Sequence, residues 1–357
     1  TMAYIDAHPE LKGPELGGQV LAALNLDMVG ENPKLLQTRL NITWTPSSIS
    51  SALPDVVSRL AEFVDQRSSR SFGNGTSSFN YRVTPFRGGS DHVIFNDGMI
   101  RIPSMMLGHR PDYTHHTSDD TPEMVDPVEL ERSELIAAAS LWYLANLSEK
   151  QSLELANLVA AKAQERLASD MHRAAESLLS SPADNLEEAY NSGKQIISFA
   201  LEREQQALNS ILYFAPFSAT RRLIQTWEQS LENESQVKIR TLQVLLRQRG
   251  GRLSFSLELT EAEKQAANWI PTRLTRGPLA RGLPRIRLSQ EDQNWYETPE
   301  ARALDFYLLI NFIDGNRSIL EIRDTLSAVA QKVSLFTVEH YIRDLVKAEL
   351  VELRATN

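Results

Sequence analysis

The sequence contains no cysteine, which removes disulfides, thiolate metal sites and cysteine nucleophiles together. Any metal this chain holds must be held by His, Asp or Glu. No run of 18 or more apolar residues occurs, so no segment is long enough to cross a bilayer as a helix. A basic-plus-apolar signal segment is also missing from the start. The chain opens on Thr1 rather than on an initiator Met, and TMAYIDAHPEL already reads as helix. The natural protein is therefore expected to extend upstream, where any export signal would lie. Positive charge is in short supply: 37 Lys and Arg against 46 Asp and Glu leave a net charge of −9. That balance argues against a general nucleic-acid partner. The local exception is 271–290, with Arg273, Arg276, Arg281, Arg285 and Arg287 and no acid.

What is present is ordinary for a folded protein. With 42% hydrophobic and 23% charged residues, disorder is a poor starting point. A length of 357 residues calls for two or three domains. No repeat of about 20–50 residues is visible. The pattern predicts four segments: 1–148, 149–270, a linker over 271–290, and a module over 291–357. In the first, VLAALNLDMVG (20–30) is a short apolar run closed by Gly, as in a buried strand. Further strands are expected over 35–44 and 100–108, and helices over 53–66 and 126–147, the last with Asp126 as N-cap and Pro127 at N1. Strands alternating with helices predict a three-layer α/β domain. Residues 149–249 predict two or three helices broken near 180–185 and 215–218, with a short strand over 249–260. The last module shows three helical patterns and a closing strand, a winged-helix-like arrangement.

Three motifs in the first segment carry chemistry. Asn25-Leu26-Asp27-Met28-Val29-Gly30 puts an Asp at the carboxyl end of an apolar strand. Ligands in α/β sheets sit outside those ends, so Asp27 either caps a turn or projects an oxygen ligand for a cation. His115-His116-Thr117-Ser118-Asp119-Asp120-Thr121 offers imidazole, a common zinc ligand, with acceptors nearby for its second nitrogen; a solvent-exposed loop is the competing reading. Gly88-Gly89-Ser90-Asp91-His92 lets backbone approach a ligand closely. It is not a catalytic triad, because nucleophile, base and orienter come from separate segments, and no Gly-x-Ser-x-Gly elbow is present.

Taken in order, NLDMVG, SDHVIF, Ile102-Pro103 and HTSDDT, followed by an amphipathic helix, resemble the C-terminal half of the M28 zinc aminopeptidases over roughly 1–148. The resemblance implies a partial α/β three-layer sandwich of zinc-exopeptidase type, followed by a mostly α-helical region and a small winged-helix-like domain. It implies peptide-bond hydrolysis at a free amino terminus by a two-zinc site, with Asp27 a ligand to one zinc and His116 to the other. His115 falls one position early and is expected as a neighbour. Asp120 becomes a supporting partner, and Ser90, Asp91 and His92 a loop lining the site. Phe86, Arg87 and Tyr113 are placed at the border of a substrate pocket by nearness in sequence.

The family's remaining ligands and its general-base Glu come earlier in the chain than anything matched here. Catalytic zinc usually needs three protein ligands, so this chain alone is expected to be inactive and to require the N-terminal half of the catalytic domain. The expected partners are a peptide substrate and that missing half, with a homo-oligomer open. The compartment is unknown, the resemblance favouring an extracytoplasmic one. Two other functions remain: a catalytically inactive M28-like binding scaffold, and a regulatory protein built on the C-terminal module. Against the latter reading DNA, residues 300–357 carry seven Lys or Arg and nine Asp or Glu, whereas a DNA reader presents a basic face.

Overall fold

The computed structural model describes residues 1–71, 79–252, 259–279 and 283–356. They form two compact units, one of 1–160 with 206–224 and the other of 161–205 with 225–357.

The first unit is built on a mixed four-stranded sheet. A short helix α1 (Met2–Ala7) precedes β1 (Ala23–Leu26). Next come α2 (Pro33–Leu36), β2 (Arg39–Thr43), α3 (Leu53–Ser71), β3 (Tyr81–Thr84), α4 (His92–Phe95), β4 (Ser104–Arg110) and α5 (Pro127–Ala145). The strand order is β1-β4-β2-β3, with β1 parallel to β4, β4 antiparallel to β2, and β2 parallel to β3. β4 pairs on both sides, which explains why Ser104 to His109 are buried without alternation. α3 packs on α5. Ile5, Ile100 and Ile102 form a separate small core with Val20, Ala23, Ile94 and Phe95.

The expected cap of α5 is present: Asp126 accepts the Val128 N–H at 2.9 Å, and Pro127 stands at the first helical position. The strand expected over 35–44 begins only at Arg39. Asn32 accepts the Lys34 and Leu35 N–H groups and starts a short helix, which Gln37 ends in the left-handed region. Local side-chain capping wins there over β propensity. The strand expected over 100–108 lies at Ser104–Arg110.

The three long helices α6 (Glu149–Ser180), α7 (Leu186–Phe214) and α8 (Ser218–Gln248) break where the sequence predicts. Pro182 and Pro216 lie in the two breaks, and proline can supply no N–H to extend a helix. In the second unit, Glu204 of α7 is 1% exposed and takes a forked bond from Arg166 and a second pair from Arg203.

The chain then continues through α9 (Glu261–Ala267), β5 (Trp269–Arg273), α10 (Leu283–Ile286), α11 (Gln290–Asn294), α12 (Pro299–Ala303), α13 (Phe306–Phe312), α14 (Ile319–Val329), α15 (Leu335–Lys347) and β6 (Val351–Ala355). β5 and β6 pair antiparallel, Trp269 opposite Ala355 and Arg273 opposite Val351. Leu309, Phe312, Ile322, Val338, Tyr341 and Leu345 share one buried core. The stretch read as a linker thus carries part of β5. Three of its arginines find partners: Arg273 is buried and donates to the Gly277 carbonyl, Arg287 donates to the Ala348 carbonyl, and Arg285 pairs with Glu297. The strand expected over 249–260 falls largely on 253–258, outside the described residues.

Candidate functional site

Asp27 directly follows β1, and its N–H donates to the Leu107 carbonyl of β4 at 3.1 Å. Its half-buried position leaves the residue partly open to water. Next to it the backbone turns sharply, since Met28 has φ of +59°, a left-handed conformation that costs any residue with a Cβ. The loop before α4 comes to the same place. Asn25 Nδ2 donates to Ser90 Oγ at 2.7 Å, and Thr1 Oγ1 donates to the Asp91 carboxylate. The charges of Asp27 and Asp91 both act on the His92 ring. The structure therefore brings the stretch Ser90–His92 near Asp27 at the end of β1, although more than sixty positions separate it from Asp27 in sequence.

His92 is fully buried. Its Nε2 donates to the Arg87 carbonyl at 2.7 Å, and the ring meets Phe86 edge-on at 5.5 Å. Burial holds its pKa below the usual imidazole range, although the Arg87 carbonyl and the Asp27 and Asp91 carboxylates pull the other way. A neutral ring bonded to Arg87 shapes the loop from within, and Phe86 packs on it.

The second motif forms a tight polar turn after β4. Asp112 Oδ1 accepts from Thr114 N, Thr114 Oγ1 and His115 N. Burial opposes the Asp112 charge, but those hydrogen bonds outweigh it and hold the carboxyl below its usual range. Thr117 Oγ1 donates to the Thr114 carbonyl at 2.6 Å. His115 is half-buried; His116 is exposed with φ of +59° and stacks on the His115 ring at 3.7 Å. Asp120 is exposed, its N–H facing the Thr117 carbonyl, and Tyr113 is 74% exposed.

Asp27 and His116 are the right donors for zinc, one hard oxygen and one imidazole nitrogen. Their number is short: among the described residues no three His, Asp or Glu side chains gather closely enough to hold a metal ion. These residues do not by themselves make a catalytic zinc centre.

One cluster escaped sequence reasoning. His109 of β4 is wholly buried, with Nδ1 at 3.1 Å from Glu31 and at 3.2 Å from the Met28 carbonyl, and Nε2 at 3.5 Å from Glu129. Arg132 bonds Glu129 at 2.5 Å and lies over the Phe79 ring. Burial opposes charge on His109, but Glu129 and Glu31 outweigh it and push the imidazole up to about 9. The available signal was a pair of ionisable residues, three apart, on the core face of α5.

No curated protein and no solved structure matches this chain. Residues 4–141 match the family model of peptidase family M28, a match consistent with an M28-type domain over that part of the chain and with metal-dependent peptide hydrolysis.

Proposed function

We propose that the first unit is the part of a two-zinc aminopeptidase that supplies one ligand to each metal, Asp27 to one and His116 to the other. The observation that carries this is the position of Asp27, at the carboxyl end of an edge strand and beside the Ser90–His92 loop. Crevices at such strand ends are where α/β sheets bind ligands. Two ligands do not hold two zinc ions, so the reading requires further carboxylate or imidazole ligands and a general base from outside these 357 residues. β1 offers a place for them to come from. It pairs only with β4 among the described residues, and Leu26 on it is exposed. An open edge of this kind is a template for another strand. The substrate would be a peptide with a free amino terminus, met by the polar loops carrying Ser90, Asp91 and Tyr113.

The shortage of ligands favours one rival, an M28-like scaffold that binds peptide without cleaving it. In the C-terminal module, helices α13 to α15 closed by β6, which pairs back onto the earlier strand β5, support a winged-helix-like reading, with a packing or protein-binding role.

The test supplies this chain with the further ligands and general base that the reading requires, as an added segment or a partner chain. Cleavage of an aminoacyl-anilide that stops on chelation is expected, with Asp27→Asn and His116→Ala each lowering zinc content and turnover together. Wild-type turnover in both variants would overturn the ligand assignment. Zinc binding without turnover at any metal loading would leave the scaffold reading.

A further inference from the structure

The backbone that leaves Asp27 is pinned at successive residues. The Met28 carbonyl accepts two bonds from one residue, the His109 N–H at 2.6 Å and the His109 ring at 3.2 Å. The Val29 carbonyl accepts from Ser133 Oγ at 3.0 Å, and the Gly30 carbonyl accepts the Asp126 N–H at 2.7 Å. Glu31 bridges to Val125, and the Asn32 N–H donates to the Met124 carbonyl at 2.8 Å. All the groups that hold this segment come from β4 or from the start of α5 and the residues before it. Met28 needs such restraint, because its left-handed φ of +59° is a conformation a non-glycine residue keeps only when its surroundings impose it.

Charge accounts for why a histidine stands there. Glu31 on the turn and Glu129 on α5 bring two negative charges to a buried place, and Arg132 on α5 brings one positive charge. Buried charges persist when they are paired and hydrogen-bonded. One further cation completes the balance, and the His109 ring lies between the two carboxylates at ion-pair distance, its Nε2 making no hydrogen bond among the described residues.

We propose that His109, held as an imidazolium between Glu31 and Glu129, is a positioning residue that fixes the left-handed turn at Met28 and thereby the direction of the Asp27 carboxylate. Its consequence for a metal rests on the proposed role of Asp27; the clamp itself does not.

The test follows backbone amide exchange over residues 27–32 and the imidazole nitrogen shifts of His109, in the full chain. In the wild type the ring is expected to be doubly protonated at pH 7.5. His109→Gln keeps a donor and similar size but removes the charge, and should speed exchange across 27–32 by roughly tenfold or more. Adding Glu31→Gln to that variant restores charge balance and should recover most of the protection, a rescue that simple packing would not give. If His109→Gln does not fold, Glu31→Gln alone serves, and should lower the pH at which the ring titrates. A neutral ring at pH 7.5, or wild-type exchange in His109→Gln, overturns the clamp. Asp27→Asn should leave the His109 ring shifts and the exchange of residues 29–32 unchanged, so failure of the zinc reading, seen in zinc content, stays distinct from failure of this one.

Discussion

Gly108 stands on β4 between the two hydrogen bonds that tie the end of β1 in place, Asp27 N–H to the Leu107 carbonyl and His109 N–H to the Met28 carbonyl. A Cβ at this position would lie 2.4 Å from the Asp27 carbonyl oxygen and 3.0 Å from Met106 Cε. The methionine tip can swing away, but the carbonyl is backbone. For Gly108→Ala it must retreat from 2.4 Å to at least 3.0 Å, a shift of about 0.6 Å. Overpacking of this kind costs typically about 1–3 kcal/mol, offset by about 0.4–1 kcal/mol from the lower entropy of the unfolded alanine chain. The net expectation is a loss of about 1–2 kcal/mol, centred on the Asp27 turn. Urea denaturation gives the total, and exchange of the Asp27 and His109 amides gives the location. Gly88→Ala is the control, because its Cβ would meet only Val93 Cγ1, at an ordinary 3.4 Å. Stability and amide protection equal to wild type in Gly108→Ala would refute the reasoning, since the register of β1 on β4 would then leave room the structure denies.

Other perturbations test the rest of the chain. The His109 pKa is raised from 6.5 to about 9, so its contribution to stability is fully present below pH 6.5 and is lost as pH rises through about 9. The contribution is on the order of 3 kcal/mol, and should appear as a wild-type-minus-His109→Gln difference that shrinks between pH 6.5 and 9.5; a constant difference would count against it. Glu204→Ala leaves Arg166 and Arg203 without their buried acceptor and should cost about 3 kcal/mol, read from the urea midpoint. Ser318→Ala removes the hydroxyl that caps α14 in a reciprocal box with Glu321, and about 1 kcal/mol should be lost in the same assay.

Legibility differed by the kind of interaction involved. α5 could be read to its first residue because Asp126 and Pro127 act locally on their own helix. The breaks at Pro182 and Pro216 were equally local. The short α2 was missed because Asn32 caps within its own tetrapeptide and overrides a strand-like composition. β5 was missed because Pro271 and the arginines look like linker, and only β6, some eighty residues later, gives the strand a partner. His92 was read as part of a loop lining the site; the structure buries it, with Nε2 bonded to the Arg87 carbonyl and the ring against Phe86.

The amino-acid sequence by itself determined the chemistry within reach: no thiol, a carboxylate at a strand end, an imidazole in a polar turn, and the order of motifs that marks an M28-type domain. Those are properties of residue type and short-range spacing. Only the tertiary structure decided that Ser90, Asp91 and His92 gather at Asp27, that three of the linker arginines are engaged, and that His109 lies buried between Glu31 and Glu129. Each of those facts arises from burial and from contacts between distant segments, where desolvation and charge balance act on groups the chain order keeps apart.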